Sequence, residues 1–298
     1  YVPWMIDWPR TSLMNNMLTS MPNLAIVTSR MTKGESFRHV QITRGIVEAI
    51  SISPKTSNNA YFFPLYTKSS DDDLFKDIDK GTLNISQNYI HYIEKKTGLK
   101  YTTESTDDHL FYFNPEAVLA YIYAILHSDG YRERYKDVLT LDYPRIPITN
   151  LRDLFSNLTA LGQNLINVQL FEELNTSENK CEFIGLNREV SKVVWTNENV
   201  GTVWINGSGT HNNYSKGTNG FSPVPKIVWE YHVGGYQVCE KWLKDRGPKK
   251  GNRGHILNNE DIEHYQKIVI ALGETISIVV EIDKAINAHG GWPDAFTD

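Results

Sequence analysis

The first part of the chain alternates apolar and polar positions in short runs, as β-strands do. Runs rich in β-branched and aromatic side chains predict strands at residues 24–27, 37–42, 46–52 and 61–66. Glycine, asparagine and serine supply turns between these runs. An acidic, polar stretch at 68–81 then predicts a linker. We therefore expect a β-rich portion that ends near residue 82.

The middle of the chain predicts three helices from their end signals. Ser86 is a good N-cap and Gly98 a good C-terminal stop for the first helix. Asn114 followed by Pro115 combines an N-cap with proline at the first helical position of the second. The third begins at Asn150 and repeats apolar residues at helical spacing. These are Leu151, Leu154, Phe155, Leu158, Leu161, Leu165 and Val168.

A second β region and a long last helix complete the pattern. Strands are predicted near residues 190–195, 200–205 and 226–233, and a polar, glycine-rich loop at 206–220. Ordered loops of this length are usually functional. The last helix is predicted at 259–288. The expected fold class is α+β, with a β-rich recognition portion, packed helices and a long C-terminal helix. Its expected parts are 1–82 (β-rich), 83–180 (mainly helical) and 181–298 (second β region and C-terminal helices), forming one composite domain.

Composition describes an ordinary globular protein, with 40% hydrophobic and 22% charged residues in a chain of 298. No apolar run is long enough to span a membrane, so no membrane partner is expected. Cys181 and Cys239 are too few for a disulfide scaffold and are predicted to be buried thiols. The chain begins with Tyr1 rather than methionine, which suggests a piece of a longer protein.

The net charge of −5 argues mildly against a nucleic-acid partner. Distribution matters more than the sum, because salt screens exposed charges over about 8–10 Å. Cations gather at residues 30–44, 132–136 and 241–253. A basic face on an acidic body is therefore compatible with the sequence.

No catalytic centre is predicted. Asn114-Pro115-Glu116 lacks the second proline and the aromatic residue of an amino-methyltransferase motif. The histidines show no metal-ligand spacing, and neither a phosphate-binding loop nor a nucleophile elbow is present in the sequence. We expect no catalytic residue and no metal ligand in this chain.

Three motifs occur in a fixed order. Residues 234–246 are Gly-Gly-Tyr-Gln-Val-x-x-Lys-Trp-Leu-Lys-Asp-Arg. Residues 121–147 contain Tyr-Ile-Tyr-Ala-Ile-Leu-His-Ser, then Tyr-Arg-Glu-Arg-Tyr, then Asp-Tyr-Pro-Arg-Ile-Pro. The third motif combines residues 23–30 with Phe-Pro-Leu-Tyr at 63–66. Together they resemble the C-terminal specificity domain of Type ISP restriction–modification enzymes and their adenine-methyltransferase relatives. The opening residues 1–7 depart from the usual Tyr-Arg-Pro-Phe-Asp of that family, because they lack the arginine.

The resemblance implies a target-recognition domain for duplex DNA. Such a domain binds one short site and presents its adenine to an upstream N6-adenine methyltransferase of the same chain, which takes the base out of the stack. The parent enzyme is then an adenine-specific DNA methyltransferase with restriction endonuclease activity and an ATP-driven translocase, in the bacterial cytoplasm. S-adenosylmethionine, ATP and Mg²⁺ are expected in the upstream domains, and no cofactor in this segment.

Side chains that donate hydrogen bonds to phosphates and base edges are the candidate DNA contacts. They are Arg30, Lys33, Arg38, Arg44, Asn212, Asn213, Tyr214, Lys216, Lys244, Arg246, Lys249, Lys250 and Arg253. The loop and the basic segment after residue 241 are equally compatible with an ordinary solvated surface. The alternative function is a non-catalytic protein-interaction or assembly domain.

Overall fold

The computed structural model describes residues 15–17, 23–54, 58–67, 81–103, 111–174, 181–210, 213–249 and 251–297. The chain divides into two compact units, one of Tyr1–Ile166 with Val279–Asp298 and the other of Asn167–Ile278. We call them unit 1 and unit 2. Each combines helices with antiparallel strands, which confirms the α+β class. The three-part division of the chain stays a prediction.

Unit 1 is built around a three-stranded antiparallel sheet. Its strands are β1 (Ala25–Ser29), β2 (Val40–Thr43) and β3 (Ala60–Pro64), in the order β2-β1-β3. Every residue of the central strand β1 is buried. Two small ladders follow, which pair β4 (Tyr66–Thr67) with β5 (Thr82–Leu83) and β6 (Lys100–Tyr101) with β7 (Tyr112–Phe113). The strand predicted at 46–52 is wrong, because these residues form turns.

The capping signals locate the first two helices of unit 1 as predicted. Helix α1 (Gln87–Thr97) has Ser86 as its N-cap and ends at Gly98, whose φ of 70° is left-handed and suits glycine. Helix α2 (Pro115–His127) begins after Asn114, whose side chain accepts a hydrogen bond from the amide of Ala117. Almost the whole of α2 is buried, which explains its apolar sequence.

Helix α5 (Arg152–Gln169) packs closely against α2 within unit 1. A Cβ added at Gly162 would lie 2.0 Å from the carbonyl oxygen of Ala120, so this contact requires glycine. Near the other end of α5, the rings of Tyr121 and Phe155 stack with centroids 4.6 Å apart. The Tyr121 hydroxyl donates to the carbonyl of Pro147 at 2.9 Å. Tyr121 is therefore a core residue rather than a DNA contact.

Two short helices, α3 (Asp129–Arg134) and α4 (Lys136–Leu139), carry the basic run of the second motif. The first is anchored by the carboxylate of Asp283, which accepts hydrogen bonds from the amides of Asp129 at 3.0 Å and Gly130 at 3.3 Å. Carboxylates at helix N-termini are favourable because the first amides have no partner inside the helix.

Unit 2 contains a four-stranded antiparallel sheet in the order β8-β13-β10-β9. Its strands are β8 (Glu182–Ile184), β9 (Val194–Thr196), β10 (Thr202–Trp204) and β13 (Gly220–Ser222). Helices α7 (Val238–Lys244) and α8 (Asn259–Ala288) complete this unit's core, although the last turns of α8 belong to unit 1. The long C-terminal helix is thus confirmed at the predicted bounds.

The cysteines are buried thiols, as predicted. Cys181 is 5% exposed and Cys239 is fully buried. Burial raises the pKa of both thiols to about 12. The thiolate is the reactive form, so both are chemically inert near neutral pH.

Two predictions in the second β region are wrong. Residues 226–233 form helix α6 (Lys226–Trp229) and then strand β14 (His232–Val233), which pairs with β15 (Tyr236–Gln237). The predicted loop at 206–220 contains a β-hairpin of β11 (Ser208–Thr210) and β12 (Asn213–Ser215). The hairpin lies in the connection between β10 and β13.

Candidate nucleic-acid interface

One end of the unit 2 sheet gathers two connecting segments. The register places Ile184 of β8 opposite Gly220 of β13, and Trp204 of β10 opposite both Gly220 and Val194 of β9. The connection from β8 to β9 and the connection from β10 to β13, which contains the β11–β12 hairpin, therefore both leave the sheet at this end. We call these two connections, with the loop at 247–256, the recognition edge.

A partly buried polar network fixes the recognition edge. The side-chain oxygen of Asn206 accepts hydrogen bonds from the amides of Thr218 and Asn219, both at 3.0 Å. Asn219, 6% exposed, in turn accepts from the amides of Leu186 at 3.0 Å and Asn187 at 2.9 Å. The same network thus supports the foot of the hairpin and the loop after β8.

The extended segment at 188–192 joins the other parts of the edge. On one side, the amide of Val190 donates to the carbonyl of His255 at 3.0 Å. On the other, the amide of Lys192 donates to the carbonyl of Ile205 at 3.0 Å. Close approach requires Gly254, where an added Cβ would lie 1.7 Å from the Val190 carbonyl oxygen. Two segments that are distant in sequence, the hairpin and the basic loop, consequently flank one extended segment.

Arg246 serves the fold of unit 2. Its guanidinium carbon lies 3.4 Å from the ring centroid of Trp242, and its Nε is 3.3 Å from the carboxylate of Asp261. Cation–π contact and an ion pair hold the side chain in place. Lys244 is also paired, with Glu240 at 2.9 Å, so neither of these two candidates is available as a free cation.

Lys249 and Arg253 differ from Lys244 and Arg246 in having no acidic partner among the described residues. Both are exposed, and within the described part of the chain neither forms an ion pair. They line an open depression of about 650 Å³ together with Asp245 and Asp261. Asp245 pairs with Lys241, and Asp261 pairs with Arg246, which also lines the depression. The lining residues that the structure describes thus include three cations, Arg246, Lys249 and Arg253, and two carboxylates. The depression therefore keeps a local excess of positive charge.

The carboxylate of Asp261 contacts several groups of this loop. Burial alone would raise the pKa of its carboxyl group. Hydrogen bonds from His255, the amide of Asn258 and Arg246 outweigh that effect and lower the pKa below the ordinary value. The carboxylate stays ionised and holds both ends of the loop at 246–258.

The hairpin presents a mixed basic and aromatic surface. Tyr214 is 48% exposed, and the ammonium group of Lys192 lies 5.8 Å from its ring centroid. Lys192 also donates to the carbonyl of Gly209, which ties the segment before β9 to the hairpin. Lys216 is 3.6 Å from Glu198, an exposed pair that salt screens readily.

Four further candidates belong to unit 1. Arg30 pairs with Asp142 at 3.0 Å, with both side chains largely exposed. Lys33 and Arg38 line a groove of about 870 Å³, and Arg44 follows β2 on the surface. That groove contains four cations and four carboxylates: Lys33, Arg38, Arg132 and Lys136, with Glu35, Asp129, Glu133 and Asp137.

The neighbouring residues Arg38 and His39 differ sharply in exposure. Arg38 is exposed, while His39 is fully buried and its Nε2 contacts the Glu35 carboxylate at 2.9 Å. Both residues precede β2 rather than lying in it, which corrects the predicted strand start at residue 37. Asn212 and Lys250 lie outside the described residues, and Asn213 is placed only by its backbone in β12.

Sequence reasoning missed Asn187, Arg188 and Lys192. They lie in a short connection with only two cations, Arg188 and Lys192, so no basic cluster marked them. The available signal was Gly185, whose φ of 97° indicates a tight turn that exposes the residues after it. In the part of the chain that the structure describes, no three acidic, histidine or cysteine side chains are grouped to hold a metal ion. No helix there is both long and apolar enough to cross a membrane.

Comparison with protein families decides the classification. The model of the Type ISP C-terminal specificity domain matches residues 1–281. The chain belongs to this family. The match spans both units of the specificity domain and includes all three motifs from the sequence. Comparison with curated proteins finds no match.

Solved structures support the fold of this specificity domain. It is similar to a nuclease-deletion mutant of the Type ISP enzyme LlaGI in complex with a DNA substrate mimic, with TM-score 0.58 and 18% identity over 87% of this chain. It is similar to the ATP-dependent Type ISP enzyme LlaBIII bound to DNA, with TM-score 0.53 and 18% identity over 93%. A DrdV–DNA complex gives TM-score 0.65 and 16% identity over 93%. The specificity domain covers only 21%, 16% and 26% of those chains, respectively.

Proposed function

We propose that this chain recognises a short duplex DNA sequence through the recognition edge of unit 2. The observation that carries the proposal is the combination of free cations, Lys249 and Arg253, with an adjoining polar hairpin on one fixed scaffold. Phosphate contacts set the register of a protein on DNA, and side chains in the grooves read the bases. The two parts of the edge match these two tasks.

The roles divide by chemistry. Lys249 and Arg253 bind backbone phosphates, because exposed cations without acid partners release counterions from DNA. Tyr214 and Asn187 contact base edges, and the sequence candidates Asn212 and Asn213 do the same, since amide side chains pair well with adenine. Lys216 joins them once DNA competes with Glu198. Family membership and the DNA complexes of LlaGI and LlaBIII support the same function.

The wider role rests on the longer polypeptide. We propose that the bound site presents an adenine to an upstream N6-adenine methyltransferase, and that a nuclease and a translocase act from the same chain. S-adenosylmethionine, ATP and Mg²⁺ then serve those upstream parts, and the enzyme works in the bacterial cytoplasm. The small share of each neighbour's length that this chain covers supports a division of labour along the polypeptide.

The test is fluorescence anisotropy on pooled random duplexes at about 50 and 200 mM salt, followed by sequencing of the retained DNA. Six to ten phosphate contacts predict a loss of roughly 10³–10⁵ in affinity over this range. The double variant Lys249→Gln/Arg253→Gln should bind about tenfold or more weakly and lose about two units of salt slope.

A matched control is Lys226→Gln/Lys284→Gln, which removes two cations that already pair with Glu230 and Glu281 outside the edge. Its affinity should stay within about twofold of the wild type, because exposed ion pairs leave little free positive charge. Equal losses in both double variants, or no binding at 50 mM salt, would contradict the proposal.

One observation favours a second function, protein docking by unit 1. Tyr61, Phe63 and Tyr143 are 36–44% exposed, and Tyr143 meets the other two rings edge-on at 5.6 and 5.7 Å. Exposed aromatic clusters are typical of protein interfaces. Tyr61→Ala/Phe63→Ala should leave DNA binding intact and weaken association with the methyltransferase domain, measured by titration calorimetry. Unchanged association would refute this function.

A further inference from the structure

Leu186 is 100% exposed, although leucine is among the residues most often buried in folded proteins. An isolated exposed leucine is common on protein surfaces, so exposure by itself indicates nothing. The backbone around Leu186 is what makes this residue unusual. It lies at the tip of the loop after β8, at one side of the recognition edge.

The loop is held rigid by bonds that do not involve the leucine side chain. Gly185 has a left-handed φ of 97°, and an added Cβ there would lie 2.3 Å from the side-chain oxygen of Asn219. That buried oxygen accepts the amides of both Leu186 and Asn187. Ordering this loop for binding therefore requires little further loss of conformational entropy.

The neighbours of Leu186 are those of a DNA contact rather than of a protein interface. Glycine precedes it, and Asn187 and Arg188 follow it. Protein interfaces use wider apolar patches with a buried centre. An exposed apolar side chain beside polar and cationic groups is the arrangement that inserts between stacked bases.

We infer that Leu186 is a wedge that enters a base step of the bound duplex and unstacks it. This inference rests on the proposed DNA binding. It adds that the protein deforms the DNA site that it binds. The network of Asn206, Thr218 and Asn219 connects the wedge to the foot of the hairpin, so base reading and unstacking occur in one fixed register. Sequences with easily unstacked steps at that position are then preferred.

Chemical probing of the retained duplexes tests the wedge, whichever sequence the protein selects. Permanganate oxidises unstacked thymines, and diethyl pyrocarbonate reacts with unstacked purines. Bound wild-type protein should make bases at one fixed step more reactive than in free duplex. Leu186→Ala should lower that enhancement by about tenfold, because unstacking a step is unfavourable without an inserted group. Leu186→Met should retain it.

The control is Ile227→Ala, which removes another exposed aliphatic side chain, 62% exposed on α6 and outside the edge. Its reactivity pattern should equal that of the wild type. All variants should keep the wild-type salt slope, since no charge is changed. Hyper-reactivity that persists in Leu186→Ala, or binding without any hyper-reactive base, would overturn the wedge and leave DNA binding standing. No binding by the wild type would overturn both.

Discussion

Both units carry several candidate cations, but they differ in what surrounds those cations. In unit 1 the groove beside Lys33 and Arg38 holds as many carboxylates as cations. In unit 2 the aspartates near Lys249 and Arg253 are occupied by other basic side chains. The difference teaches that the local acids, rather than the count of lysines and arginines, decide which surface attracts a polyanion.

The largest expected effect comes from separating the parts of the recognition edge. Gly254→Ala places a methyl group against the Val190 carbonyl, so the basic loop must move away from the extended segment at 188–192. We expect a loss of about 2–3 kcal/mol in the free energy of unfolding. Because Arg253 moves with the loop, DNA affinity should fall more than tenfold. Urea unfolding and anisotropy measure the two changes.

Gly247→Ala is the matched control in the same loop, since the nearest atom to its added Cβ lies at 3.2 Å. Its cost should remain within about 1 kcal/mol, with binding retained. If both alanine variants behave alike, the close approach at Gly254 does not organise the edge.

An intermediate effect should follow from Asp261→Asn, which removes the charge that holds Arg246 and His255. The pKa of Asp261 is lowered by folding, so the carboxylate stabilises the fold above the ordinary carboxyl pKa of about 3.9. That stabilisation is lost as the pH falls through the lower folded-state pKa. The variant should be roughly 1 kcal/mol less stable at pH 7, and the gap should close below about pH 4.

Thermal unfolding from pH 3 to 7 measures this gap. Asp245→Asn is the comparison variant, because its carboxylate forms an exposed pair with Lys241. Its stability should change by no more than about 0.5 kcal/mol. A constant difference between wild type and Asp261→Asn across the pH range would refute the role of the Asp261 charge.

A smaller effect is expected when a cation is removed from the balanced groove in unit 1. Arg38→Gln should change DNA affinity by no more than about twofold, because neighbouring carboxylates already offset the potential there. The comparison is made by anisotropy beside Lys249→Gln in unit 2. A drop in Arg38→Gln that matches Lys249→Gln would erase the contrast between the units.

The smallest effect belongs to Lys244→Gln. Its ammonium group pairs with Glu240 on the exposed side of α7. Both stability and DNA affinity should stay near wild type, within about 0.5 kcal/mol and about twofold, respectively. A tenfold loss of affinity measured by anisotropy would show that DNA displaces this pair.

Elements with strong local end signals were predictable from the sequence. Ser86 and Gly98 bound α1, and Asn114 with Pro115 starts α2, because caps satisfy backbone groups within a few residues. The helix at residues 226–229 was not predictable from the sequence, since Ile-Val-Trp favours strands. There the amides of Trp229 and Glu230 donate to Pro225 and Lys226, which closes a helical turn that packs into the unit 2 core.

The candidate site was only partly predictable. The clustering of basic residues in the sequence indicated Lys249 and Arg253 as candidates. It equally indicated Arg246, whose pairing with Asp261 depends on how the loop closes. The sequence did not indicate Leu186 as a site residue, because an apolar residue beside a strand is expected in the core. Its exposure depends on the amide contacts to Asn219, more than thirty residues away.

The support of the hairpin by Asn206, Thr218 and Asn219 makes its outer part a replaceable module. Residues 208–215 can change in sequence or length while the hydrogen bonds at their base, and the sheet below, remain the same. Under the proposed base reading by the hairpin, new target sequences become accessible by grafting a different hairpin onto an unaltered scaffold.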